Sequence, residues 1–146
     1  MESDRSRHGE LAKPSLLPSA GSFVILHHIV PPGRDRGSHW DLMLEAGDTL
    51  RTWALDQFPV SDVAIVARAL PDHRRWYLTY EGPLTPDDRG DRGTVQRVAM
   101  GQYQLLEQSL ERCVIDLQGD TIMGRATICV QSASPLWTFK LVSRVG

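Results

Sequence analysis

The sequence predicts a mostly-β chain, a small antiparallel β-barrel with minor helical or loop decoration. Short runs rich in Val, Ile, Leu, Thr and aromatic residues recur from Ser22 to Val142. Gly, Pro and Asp punctuate them at the short intervals that tight turns require. Outside Val60–Ala69 there is little helical periodicity. These features suit a barrel or a sandwich, and closing a small barrel removes exposed strand edges.

Residues 1–20 read as a disordered tail, polar and charged, with Pro14 and Pro18 and a solvated His8. Residues 21–146 then form one domain. Ser22–His28 is the first strand. The polar stretch Pro31 to Ser38 (PPGRDRGS) can only be a loop. His39–Ala46, the turn Ala46-Gly47-Asp48 and Thr49–Leu55 make a β-hairpin. Val63–Leu70 is a strand or a short helix, and a helix over Val60–Ala69 is the alternative. Trp76–Tyr80 reads as a strand and Pro83–Arg92 as a long loop. Thr94–Met100 and Gln102–Leu106 are strands around Gly101. Arg112–Leu117 and Thr121–Val130 flank a turn at Gly119-Asp120, and Leu136–Val142 closes the chain.

The 146 residues suffice for one domain with a real core. Apolar residues are 41 % and charged residues 23 %, ordinary for a globular chain. The formal charge of −2 excludes a polycation, so any nucleic-acid contact must use a local basic patch. No apolar run approaches the roughly 20 residues of a membrane helix. The N-terminus lacks the apolar stretch of a secretory signal. A cytoplasmic, monomeric protein without membrane attachment is expected. A hairpin centred on Gly119-Asp120 pairs Cys113 near Arg125, out of register with Cys129, so both thiols are expected free.

The segment His39-Trp40-Asp41-Leu42-Met43-Leu44-Glu45 carries the chemistry. Alternation puts His39, Asp41, Met43 and Glu45 on one face and Trp40, Leu42 and Leu44 on the core face. His39 and Asp41 can then bend onto one cation. His28 ends the preceding strand and offers a third ligand, with His27, pointing the other way, as its competitor. Two imidazoles and one carboxylate leave positions open for water and substrate. Against this, an isolated His-x-Asp on a strand is often only a surface pair. Met43 reads as packing and Glu45 as a solvated strand end. In Asp72-His73-Arg74-Arg75-Trp76-Tyr77, His73 could protonate a leaving oxygen, Tyr77 could donate a hydrogen bond, and Arg74 and Arg75 offer charge for phosphates. The bland account is an exposed turn and a wall tyrosine. Arg34, Arg36, Arg89 and Arg92 lie in the two long loops, and form a basic rim above the metal if those loops flank the same mouth.

Together these residues resemble the 3′-phosphoesterase domain of bacterial DNA ligase D, found also as stand-alone proteins. Phe23-Val24-Ile25-Leu26-His27-His28 is similar to the family's first strand, which ends in a metal-binding His. His39 to Glu45 is similar to its His-aromatic-Asp-aromatic-Arg-Leu-Glu strand. Asp72-His73, Tyr77 and Tyr80-Glu81-Gly82 resemble its Asp-His-Pro-x-x-Tyr-x-x-Phe-Glu-Gly motif. Gly93-Thr94-Val95, Gly124-Arg125 and Trp137-Thr138-Phe139-Lys140 resemble later landmarks.

The resemblance implies a Mn²⁺-type cofactor on His28, His39 and Asp41, with His73 and Tyr77 binding and activating the scissile phosphate. It implies removal of a 3′-terminal ribonucleoside and then of the 3′-phosphate from DNA or RNA–DNA ends. Ligase, polymerase or end-binding partners would be separate proteins. Three usually cationic positions depart from the pattern: Met43, Gln57 and Ile65, with Arg68 near the last. Such losses weaken transition-state stabilisation. They motivate one rival, a catalytically weakened module that binds nucleic-acid ends or a repair partner. A second rival is a non-haem Fe(II) oxygenase-like barrel, which uses the same ligand types.

Overall fold

In β1 (Ala20–Ile29) the run Phe23-Val24-Ile25-Leu26 is buried at four consecutive positions. Alternate side chains leave opposite faces, so such a strand needs cover on both. A computed structural model, which describes residues 14–143, shows two covers. Phe23 and Ile25 point into a barrel whose core includes Leu42, Leu44, Trp53 and Phe139. Val24 and Leu26 point outward into a second, smaller cluster with Met43, Leu50, Leu84 and Val95.

The remaining strands are β2 (His39–Ala46), β3 (Thr49–Leu55), β4 (Ala64–Arg74), β5 (Gly82–Pro83), β6 (Thr94–Gln108), β7 (Arg112–Gly119), β8 (Met123–Val130) and β9 (Trp137–Val142). The order is β1-β2-β3-β4-β9-β8-β7-β6, and β6 pairs back onto β1, closing an antiparallel eight-stranded barrel. The two-residue β5 adds to the outer side of β6. The predicted barrel is therefore the observed one. Trp53, fully buried, meets Trp137 edge-to-face at 5.7 Å, and the Arg51 guanidinium lies 4.6 Å over its ring. Among the described residues no helix is long and apolar enough to cross a membrane.

Several local expectations need correction. Val60–Ala69 holds no helix: from Ala64 it is strand, because Ile65 and Ala67 fill the barrel while their neighbours face out. Trp76–Tyr80 is not a strand: Arg75–Leu78 form a short 3₁₀ turn, which lays Tyr77 and Leu78 on the outer cluster. The two strands around Gly101 are one, β6. A Cβ at Gly101 would stand 2.1 Å from the Gln118 carbonyl oxygen, so only glycine lets β7 cross there unbroken. The β7–β8 turn is longer than expected, with Gly119 N–H donating to the Ile122 carbonyl. Cys113 thus pairs with Ile128 rather than near Arg125, and both thiols are free.

The expected tail divides. Residues 1–13, with His8, lie outside the described residues. Beyond them the chain packs on the barrel: Leu17 is buried in the main core, its N–H donates to Gln108 Oε1 at 3.1 Å, and Ser15 Oγ donates to Asp72 at 2.7 Å. The Leu17 carbonyl also accepts from Gln108 Nε2 at 2.8 Å, and the Ser19 carbonyl from Leu105 N–H at 2.8 Å. Buried apolar surface and paired backbone groups together hold that stretch on the barrel.

Candidate metal centre

β1 and β2 pair so that His28 stands directly opposite His39, and Leu26 opposite Asp41. Side chains opposite one another on the same face lie about 4.5–5.5 Å apart at Cβ. His28, His39 and Asp41 therefore converge outside the barrel, one ligand atom from each lying within 4.8 Å of the others. The His28 Nδ1 to Asp41 Oδ2 distance is 4.0 Å, and His39 Nε2 to Asp41 Oδ1 is 3.2 Å. The imidazoles meet edge-to-face at 4.8 Å. His27 turns inward and stacks on Trp40 at 4.3 Å, so it offers nothing to the cluster.

The far side of each imidazole is held by a carbonyl, which can only accept. His39 Nδ1 donates to Gly37 O at 2.9 Å, and His28 Nε2 donates to Arg92 O at 2.8 Å. In neutral imidazoles this leaves the lone pairs of His39 Nε2 and His28 Nδ1 turned toward Asp41. His39 is 5 % exposed and Asp41 3 %, yet His39 Nε2 and Asp41 Oδ1 have no hydrogen-bond partner. Their 3.2 Å approach is not directed as a hydrogen bond. Buried acceptors left facing one another cost free energy that a cation between them recovers. Carbonyl-anchored imidazoles are how metal-ligating histidines are commonly oriented. The donor set fits a divalent metal ion. Burial depresses the His28 imidazole below its ordinary pKa. Burial also pushes His39 down, but the Asp41 carboxylate and the Gly37 carbonyl together outweigh it and the net direction is up.

Gly93 makes the His28 contact possible. Its φ is +93°, and a Cβ there would lie 1.9 Å from the Ile29 carbonyl oxygen. Only glycine lets the chain pass so close to the end of β1 that Arg92 O reaches His28.

His28 and His39 line a hollow of about 280 Å³ together with Arg34, Arg36, Arg89, Arg92 and Asp35. The two long loops do meet there. Arg34 donates to both Asp87 oxygens at 3.0 and 2.8 Å, and Arg89 to both Asp35 oxygens at 3.1 and 3.3 Å. Hydrogen bonding from Arg34 holds the Asp87 carboxyl far below the ordinary range. Arg92 donates to the Thr85 carbonyl. Arg36 makes no hydrogen bond or ion pair among the described residues, and it lines a second hollow with His39 and Arg68. The conditional basic rim is therefore real, although two of its four charges are neutralised by their aspartates.

His73 and Tyr77 share a different recess, a cleft of about 640 Å³ that also includes Arg74, Trp76, Tyr80 and Arg92. Their rings meet at 5.7 Å, and His73 Nδ1 donates to Pro71 O, leaving Nε2 free of that bond. Arg92 borders both this cleft and the metal hollow.

The other candidates separate. Arg68 donates to Asp56 beside the second hollow. Arg74 lines the cleft. Arg75 instead engages Glu45 and donates to Gly47 O, clamping the 3₁₀ turn to the β2–β3 hairpin. Glu45 is not a free strand end: its Oε1 accepts Ser22 N–H at 2.8 Å, which with Arg75 lowers its pKa. Met43 is 1 % exposed within the outer cluster, as packing predicts. Ile65 points into the barrel, so a cation there could not reach the ligands; Arg68 faces outward on the same strand. Gln57 is exposed. The contributions of Gly37 O and Arg92 O left no sequence signal, since any residue supplies a carbonyl.

A family model described as the DNA ligase D 3′-phosphoesterase domain matches residues 33–129. That span includes His39, Asp41, His73 and Tyr77 and stops short of His28. None of the curated proteins compared matches the chain.

Proposed function

The chain belongs to the DNA ligase D 3′-phosphoesterase domain family, and from that premise we propose that it is a Mn²⁺-dependent hydrolase of nucleic-acid 3′ ends. It removes terminal ribonucleosides and 3′-phosphates from DNA or RNA–DNA primer strands. The observation that carries the reading is the buried, unpartnered pair His39 Nε2 and Asp41 Oδ1 beside a basic hollow.

His28, His39 and Asp41 hold the ion. Once bound, a divalent ion supplies Lewis-acid polarisation and lowers the pKa of water. Arg36 and Arg92 attract and orient the terminal phosphate at the hollow. In its imidazolium form His73 gives the Nε2 proton to the leaving oxygen and keeps Nδ1–H on Pro71 O, and the Tyr77 hydroxyl donates to a phosphoryl oxygen as charge develops. Arg68 and Arg74 add positive potential at the two margins. The Arg34–Asp87 and Arg89–Asp35 pairs keep the loops in place over the site. The protein acts as a cytoplasmic monomer at 3′ ends that ligases, polymerases or end-binding proteins also use.

The test is incubation of labelled primers ending in a 3′-ribonucleotide or a 3′-phosphate with the metal-loaded protein. Shortening by one nucleoside or release of phosphate, lost with chelator, is expected. Tight binding to both primers without any processing would replace the enzyme by an end-binding module. Met43 favours that second reading, because a usually cationic position is sealed in an apolar cluster. Family membership gives no support to an iron oxygenase.

A further inference from the structure

We propose that Trp76, braced by Tyr77 and Tyr80, is a stacking platform for an unpaired base close to the 3′ end of the bound strand. This deepens the preceding reading and rests on it for the identity of the ligand. Trp76 is 44 % exposed, a large apolar surface to leave in water. Tyr77 stacks against it at 4.6 Å and 22°, and Tyr80 meets it edge-on at 4.3 Å. Tyr77 and Tyr80 are themselves packed on the outer cluster, and the Tyr80 hydroxyl donates to the Pro83 carbonyl. The indole is thus braced on one side while it lines the 640 Å³ cleft, whose size lies in the usual range of about 300–1,000 Å³ for small-ligand sites.

Charge decides what kind of ligand fits. An aromatic cluster alone would also suit an organic cation. Here Arg74 and Arg92 stand in the same wall and repel one. The one carboxylate in that wall, Asp72, has its Oδ2 on Ser15 and Thr49 and its Oδ1 buried away from solvent. A flat, electron-rich ring joined to an anionic backbone matches both the indole and the guanidiniums, and that is a nucleotide. Arg92 borders the metal hollow as well, so a strand entering the hollow with its terminal phosphate passes the cleft with its next bases.

Fluorescence anisotropy with end-labelled single-stranded oligonucleotides in Mn²⁺ buffer tests this. The strands end in a 3′-deoxynucleoside hydroxyl, which offers nothing to cleave. One carries normal bases and the other has abasic residues at its last three positions. Wild type is expected to prefer the base-bearing strand about 5- to 150-fold, the range of one base–aromatic stack. Trp76→Ala should bring the two affinities within about 2-fold, and Trp76→Phe should keep most of the preference. Equal wild-type affinity for both strands overturns the proposal, as does a preference that survives Trp76→Ala. Displacement of the strand by a trimethyllysine peptide in a Trp76-dependent way would overturn it in favour of a cation cage. Phosphate release from a 3′-phosphorylated strand, measured in parallel, separates the two claims. Release without base preference sinks only the platform. A Trp76-dependent preference without release sinks only the hydrolase.

Discussion

The two faces of the β1–β2 pair differ in residue type and in the accounting of partners. On the inward face Phe23, Ile25, Leu42 and Leu44 are buried among apolar neighbours and leave no polar atom unmatched. On the outward face His39 and Asp41 are just as deeply buried, yet each keeps an orphaned acceptor. Alternate residues of the same strands thus meet opposite rules. Burial with satisfaction builds stability. Two buried acceptors left facing one another beside a third ligand atom mark a site that awaits a cation. The orphaned donor Trp53 Nε1 in the core does not. Exposure does not distinguish the two faces; residue type, alternation and the accounting of partners do.

Replacing outward ligands should have the largest effect. His39→Ala and Asp41→Ala are expected to abolish metal-dependent cleavage while the chain stays folded, because each removes an atom that no protein group satisfies. Activity assays with metal-binding titrations and thermal melts of the apo form check this. A collapse of the apo melting temperature would erase the contrast between the faces. Next comes His73→Ala, expected to lower turnover by about 10²- to 10⁴-fold, as general-acid loss does. Metal affinity should be unchanged, since His73 lies in the neighbouring cleft. An equal fall in metal affinity would make it a ligand.

An inward change should act in the converse manner. Trp53→Ala, at a fully buried position, should cost about 3–5 kcal/mol of stability by denaturant unfolding. Molecules that remain folded should retain metal affinity. Trp40 is only partly buried at the rim of the core, against His27, so its truncation should cost less.

The mildest test is pH. Metal binding needs both imidazoles unprotonated. His39 titrates above the ordinary imidazole value of 6.5 and His28 below it. As pH falls, a proton therefore first competes at His39, and affinity measured by calorimetry should drop by about tenfold per unit. Below the range of His28 a second proton should steepen the fall. A pH-independent affinity between 8 and 5, roughly the span in which histidines titrate, would remove the imidazoles from the site.

Much of this was legible beforehand. Alternation in His39–Glu45 sorted ligands from core, and the β2–β3 hairpin lies within its expected bounds. The misread pieces had a common cause. Gly101 and the Trp76 segment are decided by what approaches them from elsewhere in the chain, namely β7 in one case and the outer cluster in the other. Glu45 looked solvated for the same reason, since Ser22 and Arg75 come from distant positions.

Residue types and their period of two determined, unaided, the β class, the core face of each early strand and the identity of the metal-ligand candidates. Local sterics act between neighbours, so a pattern of neighbours records them. Tertiary structure alone decided that Arg92 O and Gly37 O orient the two rings, and that Arg34 and Asp87 join two loops. Those outcomes depend on strand register and on barrel closure. Both are properties of chain segments brought together across long separations, and no stretch of contiguous residues encodes them.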